Sequence, residues 1–343
     1  MKIKRTIGIL VSTGAGILLL FLFLEIAVRL SGYSKKYLYD PIYKKSDLPG
    51  VVYEHKPDVD GRARSGTPVH IDNIGARSDR DYPILKPGNT CRVVLLGDSW
   101  TFGQGVELQH TFGYLLERKL LPGRFPSYHF EVINLGVCGY NIANMVASFV
   151  QKAIRLNPDV VVLALIGEDL SLDRRLAADK FGYTRNLLSP QVPDWLKSWL
   201  RNLHMAYWIR DKWWILTHKG EQGLKGVEEP GAPVYRKTWN RAGKLLQEFR
   251  DKAKEENIRT LIIDLDFKPK HSAEMLKRLA GKLGVPFVAC SQGVSVSAKS
   301  RDIAQLVLPN DGHPGIKGHE LIASLLLEAI TAQLSNAGCM NSL

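Results

Sequence analysis

Residues 92–99 read Arg-Val-Val-Leu-Leu-Gly-Asp-Ser, and this stretch decides the fold. Its four consecutive apolar residues, two of them β-branched, predict a strand that is buried on both faces, as strands of a parallel sheet are. Ser99 then lies just beyond the carboxyl end of that strand, at the edge where open α/β sheets bind their ligands. Ser99 is therefore a candidate nucleophile, although serine and aspartate are also common in ordinary strand-to-helix turns.

Similar apolar runs recur along the chain, and segments with helical periodicity separate them. The predicted strands cover residues 92–96, 130–133, 160–166, 258–265 and 285–290, and the predicted helices cover residues 111–121, 142–156, 237–256, 273–283 and 316–330. Alternation of strand and helix predicts an α/β fold, a doubly wound parallel sheet of five strands with helices on both faces.

A second motif, residues 308–314, reads Leu-Pro-Asn-Asp-Gly-His-Pro and precedes the last predicted helix. A serine hydroxyl is a weak nucleophile, so it needs an adjacent base and a third group that orients the base. A lone histidine in a loop is more often a solvated polar residue than a base. Here Asp311 and His313 are separated by one residue, so the carboxylate can reach one imidazole nitrogen while the other points into the cleft.

Together these motifs resemble those of the SGNH hydrolases, the GDSL-type esterase and lipase superfamily. Residues 97–99, Gly-Asp-Ser, match the nucleophile block, and Asp311 with His313 matches the last block. Residues 134–139, Asn-Leu-Gly-Val-Cys-Gly, look like the block that supplies a glycine N–H to the oxyanion, with Gly139 as the better match. No Gly-x-Ser-x-Gly motif occurs in the chain, which argues against the α/β-hydrolase fold.

The resemblance implies a flavodoxin-like sheet and acyl transfer through an acyl-enzyme on Ser99. In that reaction His313 takes the serine proton and Asp311 stabilises the resulting imidazolium. The N–H groups of Ser99 and Gly139 form part of the implied oxyanion hole.

The third block departs from the family pattern at Glu168. The family has Gly-x-Asn-Asp after the third strand, whereas this chain reads Gly-Glu-Asp over residues 167–169. A carboxylate donates no hydrogen bond unless it is protonated, and an ionised one repels an oxyanion. Three interpretations follow: a side chain turned away from the site, a carboxylic acid kept neutral by burial, or a degenerate site.

The N-terminal segment predicts a membrane anchor. Residues 6–24 contain no charged side chain and are long enough to cross a hydrocarbon core as a helix. The absence of a small-x-small cleavage site after Leu24 favours an uncleaved anchor over a signal peptide. Three basic residues within 2–5 favour a cytoplasmic tail, although basic residues between 29 and 36 weaken that bias. We therefore expect a single-pass protein of the inner (plasma) membrane with an extracytoplasmic, periplasmic domain.

Three regions follow from these assignments. Residues 1–30 form the cytoplasmic tail and transmembrane anchor, residues 31–90 an extended connecting arm, and residues 91–343 an SGNH hydrolase-like domain. A tryptophan-rich helical insertion interrupts that domain at about residues 180–235. Leu196, Trp199, Leu200 and Leu203 share one helical face, and such a stripe is typical of packing on a core. The alternatives are a membrane-interfacial helix, a lid over the cleft or an aromatic platform for sugar rings.

Two further features of the sequence have more than one interpretation. Residues 71–77 resemble the Asn-x-x-Gly-x-Arg lead-in of membrane-anchored bacterial SGNH proteins, with Asp72 at the asparagine position and Arg77 as either a surface salt-bridge residue or a site residue. The four cysteines lack metal-binding spacing and are too few for a disulfide framework, so Cys91 and Cys290 are expected to be buried thiols.

The net charge of +12 is spread along the chain and no nucleic-acid motif is visible, so we expect no nucleic-acid partner. The charge suits anionic lipid or acidic polysaccharide. No cofactor or metal is predicted. The resemblance implies an esterase or O-acyltransferase that acts on ester-linked acyl groups, O-acetyl groups above all, of envelope or exported polysaccharide, with membrane lipid and polysaccharide machinery as further partners. The alternative is a catalytically impaired SGNH domain that binds glycan or scaffolds a membrane polysaccharide complex.

Overall fold

The computed structural model describes residues 2–33, 39–63, 66–171, 176–186, 193–217, 230, 235–294, 300–309 and 311–340. Asn310 and parts of the predicted arm and insertion lie outside these residues. The chain divides into two compact units. The first comprises Met1–Tyr39, Arg64–Gly66 and Pro190–Glu221, and the second comprises Asp40–Ala63, Thr67–Ser189 and Gln222–Leu343.

The strands, in chain order, are β1 (Tyr43–Lys45), β2 (Tyr53–His55), β3 (Val59–Arg62), β4 (Pro68–Ile71), β5 (Thr90–Leu96), β6 (His129–Asn134), β7 (Val160–Leu165), β8 (Leu176–Ala178), β9 (Thr184–Asn186), β10 (Arg259–Asp264) and β11 (Phe287–Ala289). The α-helices are α1 (Lys2–Leu30), α2 (Ser99–Phe102), α3 (Phe112–Leu115), α4 (Leu121–Arg124), α5 (Ile142–Ser148), α6 (Asp194–Arg201), α7 (His204–Thr217), α8 (Tyr235–Glu255), α9 (His271–Leu283), α10 (Cys290–Val294), α11 (Ser300–Leu306) and α12 (Ile316–Asn336).

A five-stranded parallel sheet with the order β11-β10-β7-β5-β6 forms the centre of the second unit. Every residue of β5 and of β7 is buried, because helices cover both faces of the sheet. Alternate β5 residues from Cys91 to Leu95 pack with the buried face of α12, while α5 and α8 lie on the other face. The predicted doubly wound α/β fold is confirmed.

One predicted helix extends further than its sequence suggested. Residues 111–121 were expected to end at Pro122, but α3 continues through a π-helical turn, Leu116–Leu120, into α4. Pro122 lies in the first turn of α4, directly after the π-helical turn. The chain therefore remains helical to Arg124.

The segment expected to be an extended arm folds with the sheet from residue 40 onward. It forms two antiparallel hairpins, β1 with β2 and β3 with β4. Ile42, Tyr53 and Ile71 from these hairpins are buried, because the tyrosines and aliphatic residues between the prolines pack as core. Residue 90 is thus not a boundary of the folded unit.

A disulfide joins Cys91 at the start of β5 to Cys339 beyond α12. The expectation that Cys91 is a thiol was wrong, since the partner lies 248 residues away and no local spacing reveals it. Cys290 is a free, buried cysteine as expected, and burial raises the pKa of its thiol.

The first unit contains α1, α6 and α7. Within α1, Thr6–Leu30 is long and apolar enough to cross a membrane, with a mean hydropathy of 2.5. The tryptophan-rich insertion supplies α6 and α7. Of the stripe that the sequence favours for packing on a core, Leu196, Leu200 and Leu203 are half-buried, whereas Trp199 is exposed. Trp195, Trp199, Trp208 and Trp213 are exposed, while the side chain of Trp214 lies outside the described residues.

Candidate active site

The turn between β5 and α2 places Ser99 at the carboxyl edge of the sheet. A Cβ atom on Gly97 would lie 1.9 Å from Oγ1 of Thr101 and 2.9 Å from the carbonyl oxygen of Ala164, so only glycine fits there. Asp98 caps α2, because its Oδ1 accepts a 2.8 Å hydrogen bond from the N–H of Trp100. The cap and the glycine together fix the position of Ser99.

The structure brings Ser99, His313 and Asp311 together. Nε2 of His313 lies 2.8 Å from Oγ of Ser99, and Nδ1 of His313 lies 2.8 Å from Oδ1 of Asp311. The Asp311 carboxylate is an acceptor, so it favours the tautomer with the proton on Nδ1 and leaves Nε2 free to accept the serine proton. Oδ2 of Asp98 is a second, longer contact of the Ser99 hydroxyl at 3.2 Å.

Backbone hydrogen bonds hold the loop that carries Asp311 and His313. The N–H of Leu308 donates to the carbonyl of His313 over 2.8 Å, and the N–H of Gly315 donates to the carbonyl of Leu306 over 2.8 Å. The loop is thus fixed on both sides of the histidine, immediately before α12 begins. Nε2 of Gln104 lies 3.5 Å from Nδ1 of the same imidazole.

All three residues retain some exposure to solvent. Ser99 is 8% exposed, and the side chains of His313 and Asp311 are 17% and 22% exposed. The ring of Trp100 lies 6.5 Å from the His313 ring and 5.5 Å from the Phe267 ring, centroid to centroid. These two aromatic residues form an apolar wall beside the serine and histidine.

Gly139 has the backbone geometry required of a close-approach glycine. Its φ is +84°, and a Cβ atom would lie 2.5 Å from Cδ1 of Leu176. The preceding carbonyl, of Cys138, accepts a 2.7 Å hydrogen bond from the Tyr53 hydroxyl. Within the described ranges, the N–H of Gly139 donates to no protein acceptor, so it is available to a ligand.

Glu168 lies in a 3₁₀ turn, Gly167–Leu170, directly after β7. Its side chain is exposed to solvent, which rules out the interpretation that burial keeps this carboxylic acid neutral. Its neighbour Asp169 is fully buried and caps the turn by accepting a 3.0 Å hydrogen bond from the N–H of Ile166. Asp169 therefore holds the turn in place. The side chain at position 168, however, is a carboxylate and lacks the N–H of an asparagine amide.

Arg77 is buried beneath the turn that follows α2, so the surface salt-bridge interpretation was wrong. Its guanidinium donates to the carbonyl oxygens of Phe102 at 2.9 Å, Gly103 at 2.6 Å and Val106 at 2.8 Å. Burial lowers the pKa of Arg77 to about 10, so it stays charged at neutral pH. Arg77 thus holds the backbone that leads away from Ser99.

Asp72 shapes the turn that delivers Arg77. Its Oδ1 accepts hydrogen bonds from the N–H groups of Ile74 at 3.1 Å and Ala76 at 2.6 Å. Burial raises the pKa of Asp72 to about 6, and the two backbone hydrogen bonds only partly oppose that shift. The lead-in motif of residues 71–77 was the sequence signal for Asp72 and Arg77, which support the turn after α2. No sequence signal indicated the hydrogen bond of Tyr53 to the Cys138 carbonyl.

No protein-family model matches the sequence. No curated protein matches it either. Among solved structures, the chain is similar to the crystal structure of TesA, at 14% identity and a TM-score of 0.42, over 72% of this chain and 99% of TesA. It is also similar to the acetyl xylan esterase AlAXEase, at 16% identity and a TM-score of 0.42, over 70% of this chain and 99% of that one. A catalytic mutant of Axe2, an acetylxylan esterase from Geobacillus stearothermophilus, gives 14% identity and a TM-score of 0.42, over 71% of this chain and 96% of that one.

Proposed function

We propose that this protein is a membrane-anchored, extracytoplasmic serine esterase or O-acyltransferase that works through an acyl-enzyme on Ser99. One observation carries the proposal: Ser99, His313 and Asp311 form a continuous chain of two 2.8 Å contacts at the carboxyl edge of the sheet. A nucleophile, a base and a group that orients the base, in this order, are what acyl transfer by serine requires.

The proposed reaction has two steps. Ser99 Oγ attacks the ester carbonyl while Nε2 of His313 takes the hydroxyl proton, and the imidazolium then protonates the leaving alkoxide. Water, or a sugar hydroxyl in a transferase, next attacks the acyl-serine, and His313 again serves as base. Asp311 keeps the imidazole oriented and stabilises its charged form throughout.

Backbone N–H groups would stabilise the oxyanion that forms in each step. The N–H of Ser99, at the start of α2, and the N–H of Gly139 are the proposed donors. Preorganised donors of this kind contribute about 3 to 4 kcal/mol each to transition-state stabilisation. Glu168 is the doubtful third member of this oxyanion hole, because an ionised carboxylate accepts but does not donate.

Two observations support placement of the second unit outside the cytoplasm. The segment Thr6–Leu30 of α1 is long and apolar enough to anchor the chain in the inner membrane. The Cys91–Cys339 disulfide suits an oxidising compartment, since cytosolic thiols are kept reduced. A short basic tail at residues 2–5 would then stay in the cytoplasm.

The substrate class that we propose is an acylated carbohydrate, with O-acetyl groups of envelope or exported polysaccharide as the acyl source. The resemblance to SGNH hydrolases supports this choice. The positive net charge suits an acidic polysaccharide or an anionic membrane surface. Polysaccharide machinery of the same membrane is the proposed protein partner.

Intact-mass spectrometry of the full-length protein in detergent, mixed with an activated acetyl ester, tests the proposal. We expect an acetyl adduct on Ser99 that vanishes in Ser99→Ala and persists in the control Ser324→Ala, a serine on the exposed side of α12.

His313→Ala should remove nearly all turnover, and the double variant should lose little more, because triad members act as a unit. Added acceptor glycan that becomes acetylated would identify a transferase. Turnover that survives in Ser99→Ala would contradict the proposal, because another residue would then be the nucleophile. A wild type that forms no adduct and shows no turnover would favour the impaired glycan-binding alternative.

A further inference from the structure

Two charged residues near the end of α1 hold the start of α7. The Glu25 carboxylate accepts hydrogen bonds from the N–H of His204 at 2.9 Å and the N–H of Met205 at 2.8 Å. Arg29 donates to the carbonyl of Asn202 over 2.8 Å and pairs with Glu25 over 2.7 Å. Glu25 is buried by this contact and satisfies N–H groups that a helix start leaves without intrahelical acceptors.

The position of Glu25 along α1 sets its depth in a bilayer. Residues 6–24 are nineteen uncharged residues, which span about 28 Å as a helix and match a hydrocarbon core of about 30 Å. Glu25 and Arg29 then lie at the boundary between hydrocarbon and headgroups. Because Glu25 caps α7, the turn that joins α6 to α7 lies at that boundary.

The hairpin exposes large aromatic side chains. Trp195 is 73% exposed and Trp199 56%, and these residues lie four apart on one face of α6. On α7, Ile209 is 50% exposed and Trp213 68%, again four residues apart, with Trp208 beside them at 41%. Such a patch is unusual on a surface that faces only water.

The chemistry of the hairpin fits the interfacial region of a membrane. Indole rings prefer the headgroup level, where the apolar body and the polar N–H both find suitable surroundings. Lys197 lies between the two tryptophans of α6, and the exposed Lys212 precedes Trp213. Basic side chains beside interfacial aromatics attract anionic lipid.

We propose that α6 and α7 form a second membrane contact, in which their exposed tryptophans lie in the headgroup region of an anionic bilayer beside the outer end of α1. This inference rests on the proposal above that α1 is a membrane anchor, and it assigns the tryptophan-rich insertion to lipid rather than to substrate.

Fluorescence quenching in vesicles tests the contact. The full-length protein is reconstituted in phosphatidylcholine and phosphatidylglycerol vesicles whose acyl chains carry bromine close to the headgroup. We expect quenching of tryptophan emission in the wild type and loss of at least half of the quenched fraction when Trp195, Trp199, Trp208 and Trp213 are all replaced by phenylalanine. The control Trp239→Phe removes a buried tryptophan of α8 and should not lower the quenched fraction.

Flotation of the same vesicles separates this inference from the anchor proposal. Wild-type protein that floats with the vesicles but shows no quenching overturns the hairpin contact alone. Wild-type protein that stays in the soluble fraction overturns the anchor proposal and the inference with it. Glu25→Gln weakens the cap on α7 and should lower the quenched fraction while the protein still floats, and unchanged quenching in that variant would overturn the coupling of the hairpin to α1.

Discussion

The Tyr53 hydroxyl donates a 2.7 Å hydrogen bond to the carbonyl oxygen of Cys138, the residue before Gly139. This carbonyl and the N–H of Gly139 belong to one planar peptide unit, in which the C=O and N–H bonds point in opposite directions. A hydrogen bond that fixes the carbonyl therefore also fixes the direction of the Gly139 N–H. The Tyr140 hydroxyl in turn bonds to the carbonyl of Tyr53. The hairpin of β1 and β2 therefore supports the proposed oxyanion donor from behind, although it lies far from that donor in sequence.

Tyr53→Phe should lower kcat for an aryl acetate by about tenfold with little change in KM. Loss of a complete oxyanion donor costs about 10² to 10³ in kcat, and a misdirected donor should cost less. Tyr82→Phe is the control, since it removes a buried hydroxyl that bonds to Glu117 instead. Equal kcat values in wild type and Tyr53→Phe would mean that the Gly139 N–H needs no such support.

Arg77→Met should destabilise the protein and also slow the reaction. Three buried carbonyls, of Phe102, Gly103 and Val106, would lose their donor, and each unpaired group costs about 1 to 3 kcal/mol. Thermal unfolding measures the loss of stability. The rate at which a fluorophosphonate labels Ser99, measured well below the unfolding temperature, measures the positioning effect. Arg77→Lys should recover part of the stability and part of the labelling rate.

Arg80→Met is the matched control for Arg77→Met. Arg80 is a partly exposed arginine that pairs with Glu117 at 2.6 Å, so its loss should lower stability without changing the labelling of Ser99. Normal labelling in folded Arg77→Met protein would reduce Arg77 to a structural role.

The sheet was predictable from sequence because buried parallel strands are continuous apolar runs, and β5 and β7 are clear examples. Asp311 and His313 were visible because one short loop carries both. Tyr53, Arg77 and the Cys91–Cys339 pair act on residues that are distant in sequence, and local pattern cannot reveal such partners. The exposure of Glu168 depends on how its turn is oriented, which spacing does not encode either.

Asp72→Asn should stabilise the protein at pH 7 but not at pH 4. Burial raises the pKa of Asp72 to about 6, so the folded chain binds more protons than the unfolded chain between about pH 4 and pH 6. The free energy of unfolding therefore falls as the pH rises through that window. Asparagine keeps the acceptor oxygen without the charge, so we expect a gain of about 2 to 3 kcal/mol at pH 7.

Thermal unfolding of wild type and Asp72→Asn at the two pH values measures this difference. The same measurement on Asp60→Asn, whose side chain is 88% exposed, is the control for an aspartate-to-asparagine change at the surface. A stability gain in Asp72→Asn that is equal at both pH values would contradict the assigned titration.

Thiol trapping should reveal two free cysteines in the protein extracted from intact cells. A disulfide joins Cys91 to Cys339, while Cys138 and Cys290 carry thiols. Denaturation in the presence of a maleimide should add two adducts by mass, and prior reduction should raise the number to four. Four adducts without reduction would place the second unit in a reducing compartment. A disulfide that closes so long a loop raises the free energy of the unfolded chain by about 5 kcal/mol, because it lowers that chain's conformational entropy. Reduction should therefore also lower the unfolding temperature.

Glu168→Asn should raise the acylation rate with a small acetyl ester by roughly ten- to a thousandfold. The SGNH pattern that this sequence resembles has an amide at this position, and an amide would supply an oxyanion donor where the exposed carboxylate supplies none. Glu168→Gln is the matched control. It removes the charge without restoring the length of asparagine, so it should recover only the part of the rate that charge repulsion costs. Single-turnover acylation measured across the pH range separates the two effects. If neither variant changes the rate, the side chain at position 168 lies outside the oxyanion hole, and the N–H groups of Ser99 and Gly139 act without a third donor.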